Sequence, residues 1–108
     1  MGRVARLSHM KQTVVRYRTK PESTEENRRL IEAVFRELHA KAPEGIRYAS
    51  LALEDGTFLH IAFADENAPS MASFETFKKF QDKIEERCLE QPQFSSATVV
   101  GNYGQFAE

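Results

Sequence analysis

The dipeptide Asp55-Gly56 restricts what this chain can become more than any other feature. It separates two runs of strand-forming residues, 46–53 and 57–63. Asp-Gly in that setting signals a two-residue hairpin turn, whose type I′ geometry needs positive φ at both central positions. Such a turn pairs Glu54 with Thr57, Leu51 with His60 and Ala49 with Ala62. Strand side chains alternate between faces, so one face carries Ile46, Tyr48, Ser50, Ala52, Leu59, Ile61 and Phe63. The other carries Arg47, Ala49, Leu51, Leu53, Phe58, His60 and Ala62.

The flanking segments supply the remaining elements. Residues 12–18 read as a strand rich in Val, Tyr and Thr, ended by Lys20-Pro21. Ser23 with Glu26 forms a capping-box pattern at the start of a helix whose apolar stripe is Leu30, Ile31, Val34, Phe35, Leu38 and Ala42. Pro43 and Gly45 close it. A second helix is expected over 71–90, with Phe74, Phe77, Phe80, Ile84 and Cys88 inward, and a last strand over 96–103. The order β-α-β-β-α-β makes this an α+β chain of the ferredoxin-like class. Its four-stranded antiparallel sheet has both helices on one face.

Two helices cover only one side of such a sheet. The side left bare is expected to hold Val14, Ala49, Leu51, Leu53, Phe58 and Ala62, with Arg16, Arg18, Arg47 and His60 among them. An uncovered sheet face is normally polar. An aliphatic one marks an interaction surface, and a second copy of the same sheet is the simplest cover. Two sheets face to face would enclose a pocket lined by apolar residues with a few polar fittings.

With 108 residues, residues 11–104 are read as a single domain, residues 1–10 as a disordered tail or tag remnant containing Ser8-His9-Met10, and residues 105–108 as a loose tail. Fifteen Lys and Arg against 16 Asp and Glu exclude a generic polyanion binder. Six of the basic residues, and no acidic one, fall within residues 1–20. The hairpin opens with Asp55 where an RNA-recognition domain places Lys or Arg, so no nucleic-acid partner is expected. No apolar run reaches membrane-spanning length. The lone Cys88 is expected to be a buried, inert thiol. It fits a reducing compartment, and with no secretory segment the location expected is cytoplasmic. His39 and His60 are too few for a histidine metal site, so neither metal nor other cofactor is expected.

Tyr17-Arg-Thr-Lys-Pro-Glu, Ala42-Pro-Glu-Gly-Ile, Asp55-Gly-Thr-Phe-Leu and Phe80-Gln-Asp-Lys-Ile-Glu-Glu-Arg-Cys resemble small bacterial proteins of the dimeric α+β barrel superfamily, nearest the antibiotic biosynthesis monooxygenase family. The resemblance covers about residues 12–104. It implies a homodimer joined through the open sheet face and a small organic ligand. The chemistry implied is cofactor-independent oxygenation of a phenol or enol; the alternative is a non-catalytic ligand-binding or structural barrel. The chain has no tryptophan, and Phe63-Ala64-Asp65 occupies the stretch where the oxygenase and haem-degrading branches carry one.

His60 is the candidate catalytic residue, because an imidazole ordinarily titrates near ~6.5, suited to proton transfer at neutral pH. Its apolar surroundings should keep it neutral. Arg16 and Arg47 are candidates to hold an anionic substrate oxygen. Phe58 and Leu51 are candidate walls for an aromatic ligand, and Asn102, on the expected last strand, a polar contact.

Overall fold

The structure is a computed structural model that describes residues 10–104; of the tails expected at 1–10 and 105–108, all but Met10 lies outside the described residues. Strand β1 (Lys11–Thr19) leads through a 3₁₀ turn at Pro21–Ser23 into helix α1 (Thr24–Lys41). The hairpin strands β2 (Ile46–Ala52) and β3 (Thr57–Ala64) follow. After a 3₁₀ turn at Met71–Ser73 come two short helices, α2 (Glu75–Gln81) and α3 (Ile84–Arg87), and then strand β4 (Cys88–Ser96). The sheet is antiparallel in the order β2-β3-β1-β4. The β-α-β-β-α-β order and the ferredoxin-like α+β class are as the sequence predicts.

The hairpin register is not. Ser50, rather than Leu51, lies opposite His60, and Leu51 lies opposite Leu59. The loop has three residues: Leu53 N–H donates to Thr57 O at 2.8 Å, and Gly56 N–H to Leu53 O at 3.3 Å. Gly56 has φ +89°, whereas Asp55 keeps a negative φ, so the type I′ turn is absent. Asp55 Oδ1 instead accepts from Thr57 N–H at 2.9 Å. A tight turn followed by a left-handed glycine is the three-residue alternative to the I′ hairpin. A slip of one residue moves a strand's whole side-chain set to the other face. Accordingly Phe58, His60 and Ala62 join Val15, Tyr17, Tyr48 and Ser50 beneath the helices, while Leu59, Ile61 and Phe63 join Val14, Arg16, Ala49 and Leu51 on the open face.

The helix-side core is built from Tyr17, Ile31, Val34, Phe58, Phe80 and Cys88. On the open face, Phe63 is buried by Met10, with Ile61 and Val99 packed alongside. Leu51 remains 49% exposed.

Three further expectations are corrected. The capping box does not form: the 3₁₀ turn holds Ser23 at φ −107°, ψ −5° with no side-chain cap, and Thr24 Oγ1 donates to Lys20 O at 3.1 Å instead. The single second helix breaks at Asp82, which is extended, and Lys83, which is left-handed at φ 62°. The last strand begins at Cys88 rather than at residue 96 and runs through Pro92. Proline is tolerated because β4 is an edge strand with a bulge, its register jumping from Arg16–Gln93 to Arg18–Glu90.

Candidate functional site

A cavity of about 530 Å³ lies between the sheet and the α2–α3 segment. Val15, Met71, Phe77, Phe80 and Ile84 supply apolar walls, and Phe94, 68% exposed, stands at its edge on β4. His60 and Tyr48, from adjacent strands, form a polar pole on the sheet, and Thr13, Gln81 and Glu85 add further polar lining. The volume suits an organic molecule of drug-like size or smaller. The cavity thus forms within one chain on the helix side, not between two sheets as the expected register implied.

The break between α2 and α3 leaves helix-terminal carbonyls that need donors. Buried Arg87 meets them: one terminal nitrogen, NH2, donates to Phe80 O at 2.6 Å and the other, NH1, to Asp82 O at 3.1 Å. Its Nε donates to Asn27 Oδ1 at 3.0 Å. Asn27 is fully buried on α1, and its Nδ2 donates to the Tyr17 hydroxyl at 2.9 Å. Tyr17 Oη lies 2.8 Å from His60 Nε2. On the other side of the ring, His60 Nδ1 lies 2.7 Å from Ser50 Oγ and 2.9 Å from Tyr48 Oη. The imidazole also stacks between Tyr17 and Tyr48, at centroid distances of 5.4 and 5.9 Å. A buried polar chain therefore runs from Arg87 to the cavity wall, and each link offsets the desolvation of the next.

Burial sets the protonation states. It pushes the His60 pKa down to about 4, because the charged ring would lose its hydration. The same burial raises the Tyr17 phenol and pushes Tyr48 up to about 12. At neutral pH the pole consists of a neutral imidazole and intact hydroxyls.

The other candidate residues do not converge here. Arg16 and Arg18 lie on the open face, each 3.1 Å from a Glu90 carboxylate oxygen. Arg47 is also on that face. Phe58 is buried in the core beside Tyr17 and, with Leu51, borders a separate groove of about 420 Å³ between α1 and β2. Asn102 follows the last strand rather than lying on it. Cys88 is buried, and burial raises its thiol pKa. Among the described residues no three His, Cys, Asp or Glu converge as a metal site. No helix among them is long and apolar enough to cross a membrane.

Sequence reasoning missed Asn27, Arg87, Ser50 and both tyrosines as site residues. One signal was available: Asn27 lies four and seven residues before Ile31 and Val34, which puts a polar amide on the buried stripe of α1.

No protein-family model matches the chain, and no curated protein matches it. Solved structures do. A provisionally named antibiotic biosynthesis monooxygenase from Nitrosomonas europaea superposes with a TM-score of 0.71 at 15% identity, over 90% of this chain and 96% of that one. A protein with the same provisional name from Caulobacter crescentus gives 0.70 at 14% identity, over 91% and 96%. A second Nitrosomonas europaea protein, of unknown function, gives 0.64 at 16% identity, over 93% and 99%. The chain shares their fold across most of its length, in agreement with the resemblance seen in its sequence.

Proposed function

We propose that this chain is a small-molecule-binding barrel protein whose helix-side cavity takes an apolar aromatic compound bearing one phenolic or enolic oxygen. The observation that carries the reading is the cavity itself, walled mainly by aliphatic and aromatic side chains, with His60 and Tyr48 side by side on the sheet and Thr13, Gln81 and Glu85 also in its lining. Such a site desolvates a flat ring and hydrogen-bonds one oxygen.

The chemistry that fits is oxygenation without a cofactor. One atom of O₂ enters a ring carbon, and the two hydrogens lost from the substrate leave with the other atom as water, so a phenol becomes a quinone. The part played by His60 differs from that of a strong base: a ring held near 4 takes protons poorly at neutral pH. It serves as a neutral hydrogen-bonding group, and the substrate must be acidic enough to supply its own electron-rich anion. The fold shared with provisionally named monooxygenases supports this reaction class. The same fold in a protein of unknown function keeps the non-catalytic barrel as the second reading.

We place the homodimer seam on the open sheet face, where Val14, Ala49, Leu51, Leu59 and Ile61 form an apolar patch that the chain's own helices do not cover.

The test is calorimetric titration with 2-naphthol, followed by oxygen-electrode assays across a panel of phenols and enols in metal-free buffer. Binding in wild type that is lost in Ile84→Trp, which fills the cavity, is the expected result. Uptake of one O₂ per substrate supports the oxygenase. Binding without uptake leaves the non-catalytic barrel, and failure of every apolar phenol to bind overturns the reading.

A further inference from the structure

The hydrogen-bond chain behind the cavity has a direction, and Arg87 sets it. A guanidinium only donates, so the Asn27 amide must present its oxygen to Arg87 Nε and its nitrogen to Tyr17. The Tyr17 oxygen accepts from that nitrogen and has its own hydrogen to give. The acceptor within reach is His60 Nε2, at 2.8 Å. A neutral imidazole that accepts at Nε2 carries its proton on Nδ1. Nδ1–H then donates to Ser50 Oγ, the nearer hydroxyl at 2.7 Å. His60 Nδ1, already protonated, cannot accept from Tyr48 despite the 2.9 Å separation. The Tyr48 hydroxyl hydrogen is therefore not taken up by His60, and of the two hydroxyl residues beside Nδ1 it is Tyr48 that lines the cavity.

We propose that Tyr48 is the donor that holds the ligand's oxygen, and that Arg87, Asn27 and Tyr17 are positioning residues that lock His60 as the Nδ1–H tautomer to keep that donor free. This rests on the cavity being a ligand site. It adds the residue that touches the ligand and the device that orients it. Asn27→Asp reverses the device with almost no change of shape. A carboxylate still accepts from Arg87 but cannot donate to Tyr17. Tyr17 must then donate to residue 27 and accept from His60 Nε2–H. His60 Nδ1 becomes an acceptor and draws the Tyr48 hydrogen away from the cavity.

The experiment is ¹⁵N NMR of the His60 ring near neutral pH, paired with titrations of 2-naphthol and naphthalene. Wild type should show protonated Nδ1 and bare Nε2, and Asn27→Asp the reverse. Tyr48→Phe should weaken 2-naphthol about tenfold, equivalent to ~1.4 kcal/mol, and leave naphthalene unchanged. Asn27→Asp should have the same selective effect. An Nε2–H ring in wild type overturns the proposal even if Asn27→Asp does not fold. Equal affinity of Tyr48→Phe and wild type for 2-naphthol overturns it while the cavity reading stands. Failure of both probes to bind wild type overturns the cavity reading as well.

Discussion

On the helix side of the sheet, Arg87, Asn27, Tyr17 and His60 are buried and hydrogen-bonded in sequence, ending at part-buried Ser50 beside Tyr48. On the open side, aliphatic side chains stay part-exposed, and Arg16 and Arg18 share one exposed glutamate. Residue type alone would assign the two layers the other way round. The difference shows that a polar group goes inside when its neighbours can complete its hydrogen bonds. A leucine stays outside when no element of the same chain reaches it. The helix side therefore holds a preorganised site, and the open side holds an unfinished surface.

The sharpest way to break this contrast is to remove an arginine from each face. Arg87→Leu strips donors from Phe80 O, Asp82 O and Asn27 Oδ1, and should cost about 3–5 kcal/mol in urea unfolding. If that loss fell below ~1 kcal/mol, the buried chain would not be a structural unit.

A second test uses pH. His60 binds a proton near 6.5 when unfolded but only near 4 when folded, so the unfolded state gains the extra proton between those values. Stability should fall by about 3 kcal/mol as pH drops from ~6.5 through ~4, with no contribution from this residue above that window. His60→Gln should flatten that part of the stability–pH curve; an unchanged curve would mean that His60 is solvated.

The open face is probed by Leu51→Asp. Wild type should sediment as a dimer at micromolar concentration. The variant should dissociate at least tenfold more readily, by ~1.4 kcal/mol or more, while the folded single chain tolerates the change because Leu51 is half-exposed in it. Monomeric wild type would remove the proposed partner. The smallest effect is expected from Arg16→Ala, within about 0–1 kcal/mol, because its ion pair with Glu90 is exposed on both sides. A loss as large as that of Arg87→Leu would erase the distinction between the faces.

Periodicity and turn chemistry carry local information, and what depends on them was legible: the element order, the inner stripe of α1, the hairpin's place and the fold class. His60 was legible as a residue that matters, through the rarity of imidazole within an apolar strand. Its side of the sheet was not. Asp-Gly is compatible with both a two-residue and a three-residue loop, and one residue of register decides which face an entire strand presents.

The sequence by itself determined the topology, because strand and helix patterns, proline stops and short connections act over a few residues at a time. Only the tertiary structure decided the site. Asn27, Tyr17, His60 and Arg87 are distant in the chain, and none predicts the others. The broken second helix and the early β4 depend on the same contacts. A helix-forming run gives up its continuity where Arg87, buried against α1, caps the carbonyls of Phe80 and Asp82. Non-local hydrogen bonds in a low-dielectric interior outweigh the few tenths of a kcal/mol per residue that helix propensity supplies.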